Sequence, residues 1–192
     1  MIRAIYGTLT ALCVAGLLAA LPTAVSSSGA ETVKLTDNCD PATFNLPPPE
    51  GVGPGACVGD GEVTISDFRA EFAATGQVED WEFDPDRERV DAGKAVRAEN
   101  EGGETHTFTE VAAFGGGFVL PLNRFAGPTA NECKFPAVAS TIVPAGGTSK
   151  AVALSPGTHK FQCCIHPWMR ELVKVKTQHN DDSHDGGEDG HS

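Results

Sequence analysis

The most chemically distinctive part of the chain is the run FQCCIHPWMR, which occupies residues 161–170. It holds two adjacent cysteines, and Cys163, His166 and Met169 follow one another at intervals of three residues. Such residues occur in metal sites, at disulfide-linked corners and in core strands that happen to contain sulfur. The alternation of inward- and outward-facing residues on either side of the run is the first evidence that distinguishes these three possibilities.

Two predicted strands flank this run. In HKFQC, alternation places Cys163 on the face that points into the core, at the end of its strand. In MRELVKV, Met169 shares a face with Val173 and therefore points inward as the next strand begins. The short loop between the strands carries His166. One strand–loop–strand unit thus brings a thiolate, an imidazole and a thioether to the same end of the core.

A second imidazole lies upstream, in the segment NEGGETHTFTEV. Here His106 begins a predicted strand on the same face as Phe108, and a sandwich topology can bring two such strand ends together. Two histidines, a cysteine and a weak axial methionine are the ligands of blue copper, because soft sulfur donors suit Cu(I) and imidazole suits both oxidation states. Zinc sites are more usually closed by further Cys or His ligands. The set therefore indicates a one-electron carrier.

The spacing Cys163-x-x-His166-x-x-Met169, with Pro167 directly after the histidine, resembles the copper-binding loop of the cupredoxins. Within that family the loop most resembles those of small blue proteins of the amicyanin and plastocyanin type. The upstream N-x-G-G-E-T-H-T-F is similar to the cupredoxin segment that supplies the first histidine. The resemblance covers roughly residues 81–175, about half of the chain.

The resemblance implies an all-β, Greek-key β-sandwich that binds one type 1 copper ion. It implies equatorial copper ligands at His106, Cys163 and His166, and an axial ligand at Met169. The implied function is that of an exported blue copper protein that carries single electrons. A copper-binding or copper-delivery protein that uses the same site is the alternative.

The chain departs from the family pattern at three places. Thr107 follows the first histidine where these proteins often have Asn, so a hydrogen bond beside the metal must be remade or is absent. The stretch between His106 and Cys163 is long, which implies an insertion that carries Cys133. Position 164 is a cysteine where a Thr or Pro-like residue would be ordinary.

An enzyme is not expected. Multicopper oxidases and copper nitrite reductases require additional histidine clusters. Between the N-terminal apolar run and the acidic tail, this chain has only His106, His159 and His166. His159 is expected to be a surface or hydrogen-bonded histidine rather than a ligand. Substrate chemistry therefore has no evident place in the core.

The first 30 residues resemble a secretory signal peptide. Arg3 precedes a long apolar run that ends at small residues, with Ser28 and Ala30 before the expected cleavage point. An uncleaved membrane anchor is the alternative, because the run is long enough to span a bilayer. We expect a periplasmic or extracellular protein without stable membrane insertion once the signal is removed.

Five cysteines follow the apolar run, and export would place them in an oxidising compartment. Cysteines there normally pair, and an odd number leaves one thiol over. The preferred pairing is Cys39 with Cys57 and Cys133 with Cys164, which leaves Cys163 for the metal. Four cysteines allow three pairings, so this is a preference. A sandwich in which Cys163 is itself in a disulfide is a third alternative.

The chain divides into four predicted parts. A signal peptide (1–30) precedes an N-terminal extension (31–78) with a Pro- and Gly-rich loop over 31–59 and a short helix. The helix is predicted from about Ile65 to Thr75, with Thr64 and Asp67 as a capping box and Gly76 as the stop. Short apolar segments separated by turns predict the β-sandwich domain (79–176). The acidic, His-containing tail (177–192) is expected to be disordered.

The net charge of −12 argues against a nucleic-acid partner. The expected partners are redox proteins that dock on an apolar patch, where the ring edge of His166 would reach the surface beside Pro167 and Trp168. Such encounters are small and transient. The protein itself is expected to be a monomer.

Overall fold

The computed structural model describes residues 29–176. The predicted signal peptide, apart from its last two residues, and the predicted disordered tail at 177–192 lie outside the described residues. Within 29–176, no helix combines the length and the apolar character that crossing a bilayer requires.

The first of two four-stranded sheets has the order β2-β1-β4-β8. Its strands are β1 (Ala30–Thr36), β2 (Glu82–Asp84), β4 (Ala95–Asn100) and β8 (Val152–Ala153). Strand β1 is antiparallel to β2 and parallel to β4. The side chains of β1 alternate, with Val33 and Leu35 fully buried and their neighbours at least partly exposed. This sheet therefore presents one apolar face to the core.

The second sheet has the order β3-β10-β9-β6. Its strands are β3 (Arg87–Val90), β6 (Thr109–Glu110), β9 (Gly157–Gln162) and β10 (Arg170–Val175). The strands β5 (His106–Thr107) and β7 (Ile142–Val143) form a separate two-stranded pair. The antiparallel pair β9–β10 is the strand–loop–strand unit predicted from the sequence.

The predicted all-β sandwich is confirmed. Neighbouring strands in space are mostly distant in sequence, as Greek-key connections require. The core between the sheets contains apolar side chains from both, among them Leu35, Phe83, Val96, Phe161 and Val173. The segments that carry the candidate ligands belong to β5 and to the β9–β10 connection, so the sandwich holds them from two directions.

The loop-like prediction for 31–59 is wrong at its beginning. Residues Ala30–Thr36 form β1, which lies between two other strands of the first sheet. The alternating apolar residues of this short segment find partners in β2 and β4, more than 45 residues away in the chain. The Pro- and Gly-rich remainder contains only the short helix α1 (Pro41–Phe44). The domain boundary at residue 79 stays a prediction.

The predicted helix is confirmed as α2 (Ile65–Thr75). The Thr64 hydroxyl accepts a hydrogen bond from the backbone N–H of Asp67, which satisfies one of the free donors of the first turn. Gly76 ends the helix in the left-handed conformation, at φ 82°, which glycine adopts without a steric cost. Local sequence signals were therefore sufficient to place this helix.

Both preferred disulfides are present, Cys39–Cys57 and Cys133–Cys164. The first closes the Pro- and Gly-rich loop. The second fastens the inserted segment, whose 3₁₀ turns include Asn131–Cys133 and Ala137–Thr141, to the β9–β10 connection. Cys133 and Cys164 form a small apolar cluster of their own with Val111 and Val138.

Candidate metal centre

Three of the predicted ligands converge. The donor atoms of His106, Cys163 and His166 all lie within 4.8 Å of one another, and the three side chains are buried. The two Nδ1 atoms are 3.3 Å apart, and Cys163 Sγ is 3.8 Å from His106 Nδ1. Nitrogen and sulfur donors that share one ion at about 2.0–2.3 Å lie roughly 3–4 Å apart. The donor set therefore fits a single small metal ion.

The β9–β10 connection is a tight turn that sets the positions of its ligands. The N–H of Cys163 donates to the carbonyl of Met169, and the N–H of Met169 donates to the carbonyl of His166, both at 3.0 Å. Met169 is 1% exposed, so its thioether lies in the core at the start of β10. The predicted axial role of Met169 stays a prediction.

The Cys163 sulfur is held by the backbone. It accepts hydrogen bonds from the N–H groups of Thr107 and His166, each at 3.4 Å. Cys163 is also the one unpaired cysteine in the part of the chain that the structure describes. A sulfur with two N–H donors and no disulfide partner is suited to carry negative charge.

Thr107 provides the link between the two ligand segments. Its hydroxyl accepts a hydrogen bond from the N–H of Cys164 at 2.7 Å and another from the hydroxyl of Thr109 at 3.1 Å. Thr107 therefore makes a hydrogen bond beside the metal site, at the position where cupredoxins often have Asn. It joins the His106 strand directly to the Cys163 loop.

The electrostatics of the site favour a thiolate. Burial alone would raise the pKa of Cys163, but hydrogen bonds from His106 and His166 and their charges lower it well below its ordinary value. Burial likewise opposes a charged His106, yet Asp37 and Cys163 raise its pKa to about 9. These pKa shifts favour a thiolate beside an imidazolium in the metal-free site, and a metal ion would replace the proton.

Two buried carboxylates next to the ligands were missed in the sequence. Asp37 Oδ2 lies 2.9 Å from His106 Nε2, and Glu104 Oε2 accepts the indole N–H of Trp81 at 2.7 Å. Burial raises the pKa of Glu104, partly opposed by His166. Glu104 lies in the quoted NEGGETH motif, whereas Asp37 directly follows a strand that was not predicted, so no local signal marked it.

The prediction that the His166 ring edge reaches the surface is wrong. His166 is only 3% exposed, because α2 and its neighbours cover it. The ring of Phe68 lies 6.3 Å from that of His166, and Trp168 lies 5.4 Å away. Phe68 in turn packs on Phe44 and Trp81. These four residues (Phe44, Phe68, Trp81 and Trp168) are called the aromatic cover below.

The remaining candidates are placed as expected. Cys164 points away from Cys163 into the smaller apolar cluster. His159 Nδ1 pairs with Glu110 Oε1 at 2.6 Å, and its Nε2 lies 2.8 Å from the carbonyl oxygen of Ser155. His159 is therefore a hydrogen-bonded histidine outside the donor group.

No protein-family model matches the chain, and no curated protein matches it. Among solved structures, it is similar to a purple cupredoxin from Nitrosopumilus maritimus, with 12% identity over 76% of this chain and 98% of the other, at a TM-score of 0.39. A reduced amicyanin variant shows 21% identity over 50% and 73% of the two chains, at a TM-score of 0.34. Plastocyanin from Dryopteris crassirhizoma shows 19% identity over 76% and 100%, at a TM-score of 0.35.

The donor group first indicated by the Cys163–Met169 loop is present in the structure. Two sheets enclose one core, and the ends of two strand segments carry a buried group of two imidazoles and a thiol. The β-sandwich and this donor group are those that the sequence resemblance implied.

Proposed function

We propose that the protein carries single electrons at one type 1 copper ion, held by His106, Cys163 and His166 with Met169 as the axial ligand. The observation that supports this most directly is the convergence of the first three donor atoms within 4.8 Å. The copper would supply the change between Cu(I) and Cu(II). A set of soft sulfur and imidazole donors suits both states.

The protein fixes the positions of the metal donors and excludes water from them. Cys163 and His106 are fully buried, and the backbone bonds around Cys163 and Thr107 fasten the two ligand segments to each other. Donors that are fixed before the electron arrives need little rearrangement when the charge of the ion changes. No residue in this arrangement offers substrate chemistry, so we propose a carrier and not an enzyme.

We propose that redox partners contact the protein near Trp168. His166 itself is covered, so its ring does not give the electron a direct exit to the surface. Trp168 is partly exposed and its ring lies 5.4 Å from that of His166, so it offers a path for the electron between the site and the surface. Weak contact through a small patch suits a monomeric carrier that must release its partner after each transfer.

We propose that the protein is exported to the periplasm or the extracellular space. The two disulfides favour an oxidising compartment. The N-terminal apolar run, which ends in small residues, would act as the export signal.

The test is the visible spectrum of the purified protein after addition of Cu(II). We expect an intense thiolate-to-copper band, which Cys163→Ser should abolish. The matched control is the double variant Cys133→Ser, Cys164→Ser, which removes two other sulfurs and should stay coloured. A colourless wild-type protein, or a band that persists in Cys163→Ser, would refute the proposal.

Copper delivery is the second candidate. A groove of about 510 Å³, lined by apolar side chains of α1 and α2, has His166 and Glu104 in its wall and offers a route for an incoming ion. Delivery requires rapid loss of Cu(I), whereas a carrier retains the metal. We expect a Cu(I) chelator to remove copper over hours in the native state. Release within seconds, without a stable reversible potential, would favour delivery.

A further inference from the structure

Asp37 makes an unusually complete set of contacts at the back of His106. Its Oδ1 accepts hydrogen bonds from the N–H groups of Gly103 at 3.0 Å and Cys39 at 3.2 Å. Its Oδ2 accepts the N–H of Glu104 at 2.9 Å and lies 2.9 Å from His106 Nε2. The Asp37 side chain is fully buried, as is that of His106.

These contacts define the charge and the orientation of both groups. The three backbone groups that contact the Asp37 oxygens are all N–H donors, and a carboxylate surrounded by donors is suited to the ionised state. His106 therefore donates its Nε2–H to Asp37. Once a metal ion has replaced the Nδ1 proton, the lone pair of Nδ1 points toward Cys163 and His166, where the ring nitrogen is needed.

We propose that Asp37 is a positioning residue of the metal centre, and that its fixed negative charge favours Cu(II) over Cu(I). This rests on the proposed copper function. A carboxylate one imidazole away from the ion strengthens the donor character of that ring and is attracted more strongly to the doubly charged ion. Asp37 lies outside the stretch that resembles the copper proteins, so the strand β1 brings a charge to the site from a separate part of the chain.

The alternative is that Asp37 only braces the loop at Gly103 and Glu104. The single oxygen of an amide can replace only one of the two carboxylate oxygens as an acceptor, so a bracing role predicts lower stability but little change at the metal when Asp37 becomes Asn. The two roles therefore differ in the property that should respond: the reduction potential for a positioning residue and stability alone for a brace.

The test is the reduction potential of Asp37→Asn. We expect the affinity for Cu(II) to fall at least tenfold relative to that for Cu(I), which corresponds to a rise in the reduction potential of at least 59 mV for a one-electron couple. Asp40→Asn is the matched control. It removes the same charge three residues away, and Asn keeps the N-cap of α1, where the Asp40 side chain accepts the N–H of Ala42. Equal potentials for the two variants would overturn the proposal.

A second measurement does not need copper. In the proton–nitrogen NMR spectrum of the metal-free wild-type protein, we expect an exchange-protected Nε2–H signal from His106. In Asp37→Asn this signal should move upfield, because His106 loses its charged acceptor. Absence of the signal in the wild type would overturn the proposal even if the variant failed to fold. If the wild type gave no thiolate-to-copper band but the NMR signal was present, the copper function would fail while the His106–Asp37 contact stood.

Discussion

Met169, the proposed axial ligand, is the residue through which we expect the redox character of the proposed site to be changed most directly. Its backbone bonds to Cys163 and His166 keep it in the ligand turn, and its side chain is buried. Replacing the thioether with an apolar side chain of similar volume should change the metal while disturbing the core little.

We therefore expect Met169→Leu to raise the reduction potential, because loss of a donor destabilises Cu(II) more than Cu(I). Met169→Gln, which offers a harder oxygen donor, should lower it. Protein-film voltammetry of the two variants checks both directions. Equal potentials in the wild type and both variants would show that residue 169 does not act on the metal.

Glu171 is a second residue whose chemistry stands out. It follows Met169 on the same face of the second sheet, is fully buried, and neither of its carboxylate oxygens has a hydrogen-bond partner among the described residues. Burial raises its pKa to about 8, and the charges of Glu88 and Asp86 act in the same direction. The folded state therefore keeps the proton well above the ordinary value of 4.5.

This predicts a pH dependence of stability with a definite sign. Between pH 4.5 and about 8 the unfolded chain releases the Glu171 proton and the folded chain retains it, so the free energy of unfolding falls as pH rises. Glu171→Gln should remove this slope and stabilise the metal-free protein by roughly 2–3 kcal/mol at neutral pH. Urea unfolding at pH 5 and pH 8 measures it. Glu62→Gln, at an exposed position, is the control and should leave the slope unchanged.

At the scale of elements, helix α2 determines how closed the site is. Phe68 contributes a ring to the aromatic cover and is 6% exposed. We expect Phe68→Ala to cost about 3–5 kcal/mol of stability and to open His166 to solvent. Copper loss to a chelator should then accelerate.

The control for this variant is Phe83→Ala. Phe83 is also buried but packs on Phe108, at 5.7 Å between ring centroids, and its ring is not part of the aromatic cover. It should cost similar stability and leave the chelator rate near that of the wild type. Equal rates in both variants would show that general loosening of the fold, and not the cover, controls access.

The elements that could be predicted are those whose sequence patterns lie within a few neighbouring residues of the chain. The cap at Thr64 and the stop at Gly76 defined α2. The alternation before Cys163, the short loop that carries His166 and the strand that begins at His106 placed three donors. Strand β1 was missed because its two partners lie far along the chain. The burial of His166 was missed for the same reason, since the covering ring of Phe68 is distant in sequence.

At the scale of the whole molecule, the N-terminal extension is part of the first sheet and not an addition to it. Strand β1 hydrogen-bonds to β2 on one side and to β4 on the other. We therefore expect a chain that begins at residue 79 to remain unfolded, because the sheet would lose an inner strand. A chain of residues 29–176 should fold. Circular dichroism and cooperative urea unfolding distinguish the two, and cooperative unfolding of the shorter chain would establish residue 79 as a true domain boundary.

The opposite orientations of Cys163 and Cys164 also bear on how the molecule matures. While the chain is still unfolded, Cys133 meets two neighbouring thiols with nearly equal ease, and a Cys133–Cys163 bond would give an isomer that cannot take up copper. In the folded sandwich the two thiols are separated, because adjacent residues point in opposite directions. The Cys163 sulfur lies in the ligand group and the Cys164 sulfur lies in the small apolar cluster with Cys133. Copper supplied during oxidative refolding would bind Cys163 first, so the metal would prevent the Cys133–Cys163 disulfide from forming. The yield of the coloured protein should accordingly be higher when copper is present before the oxidant than when it is added afterwards.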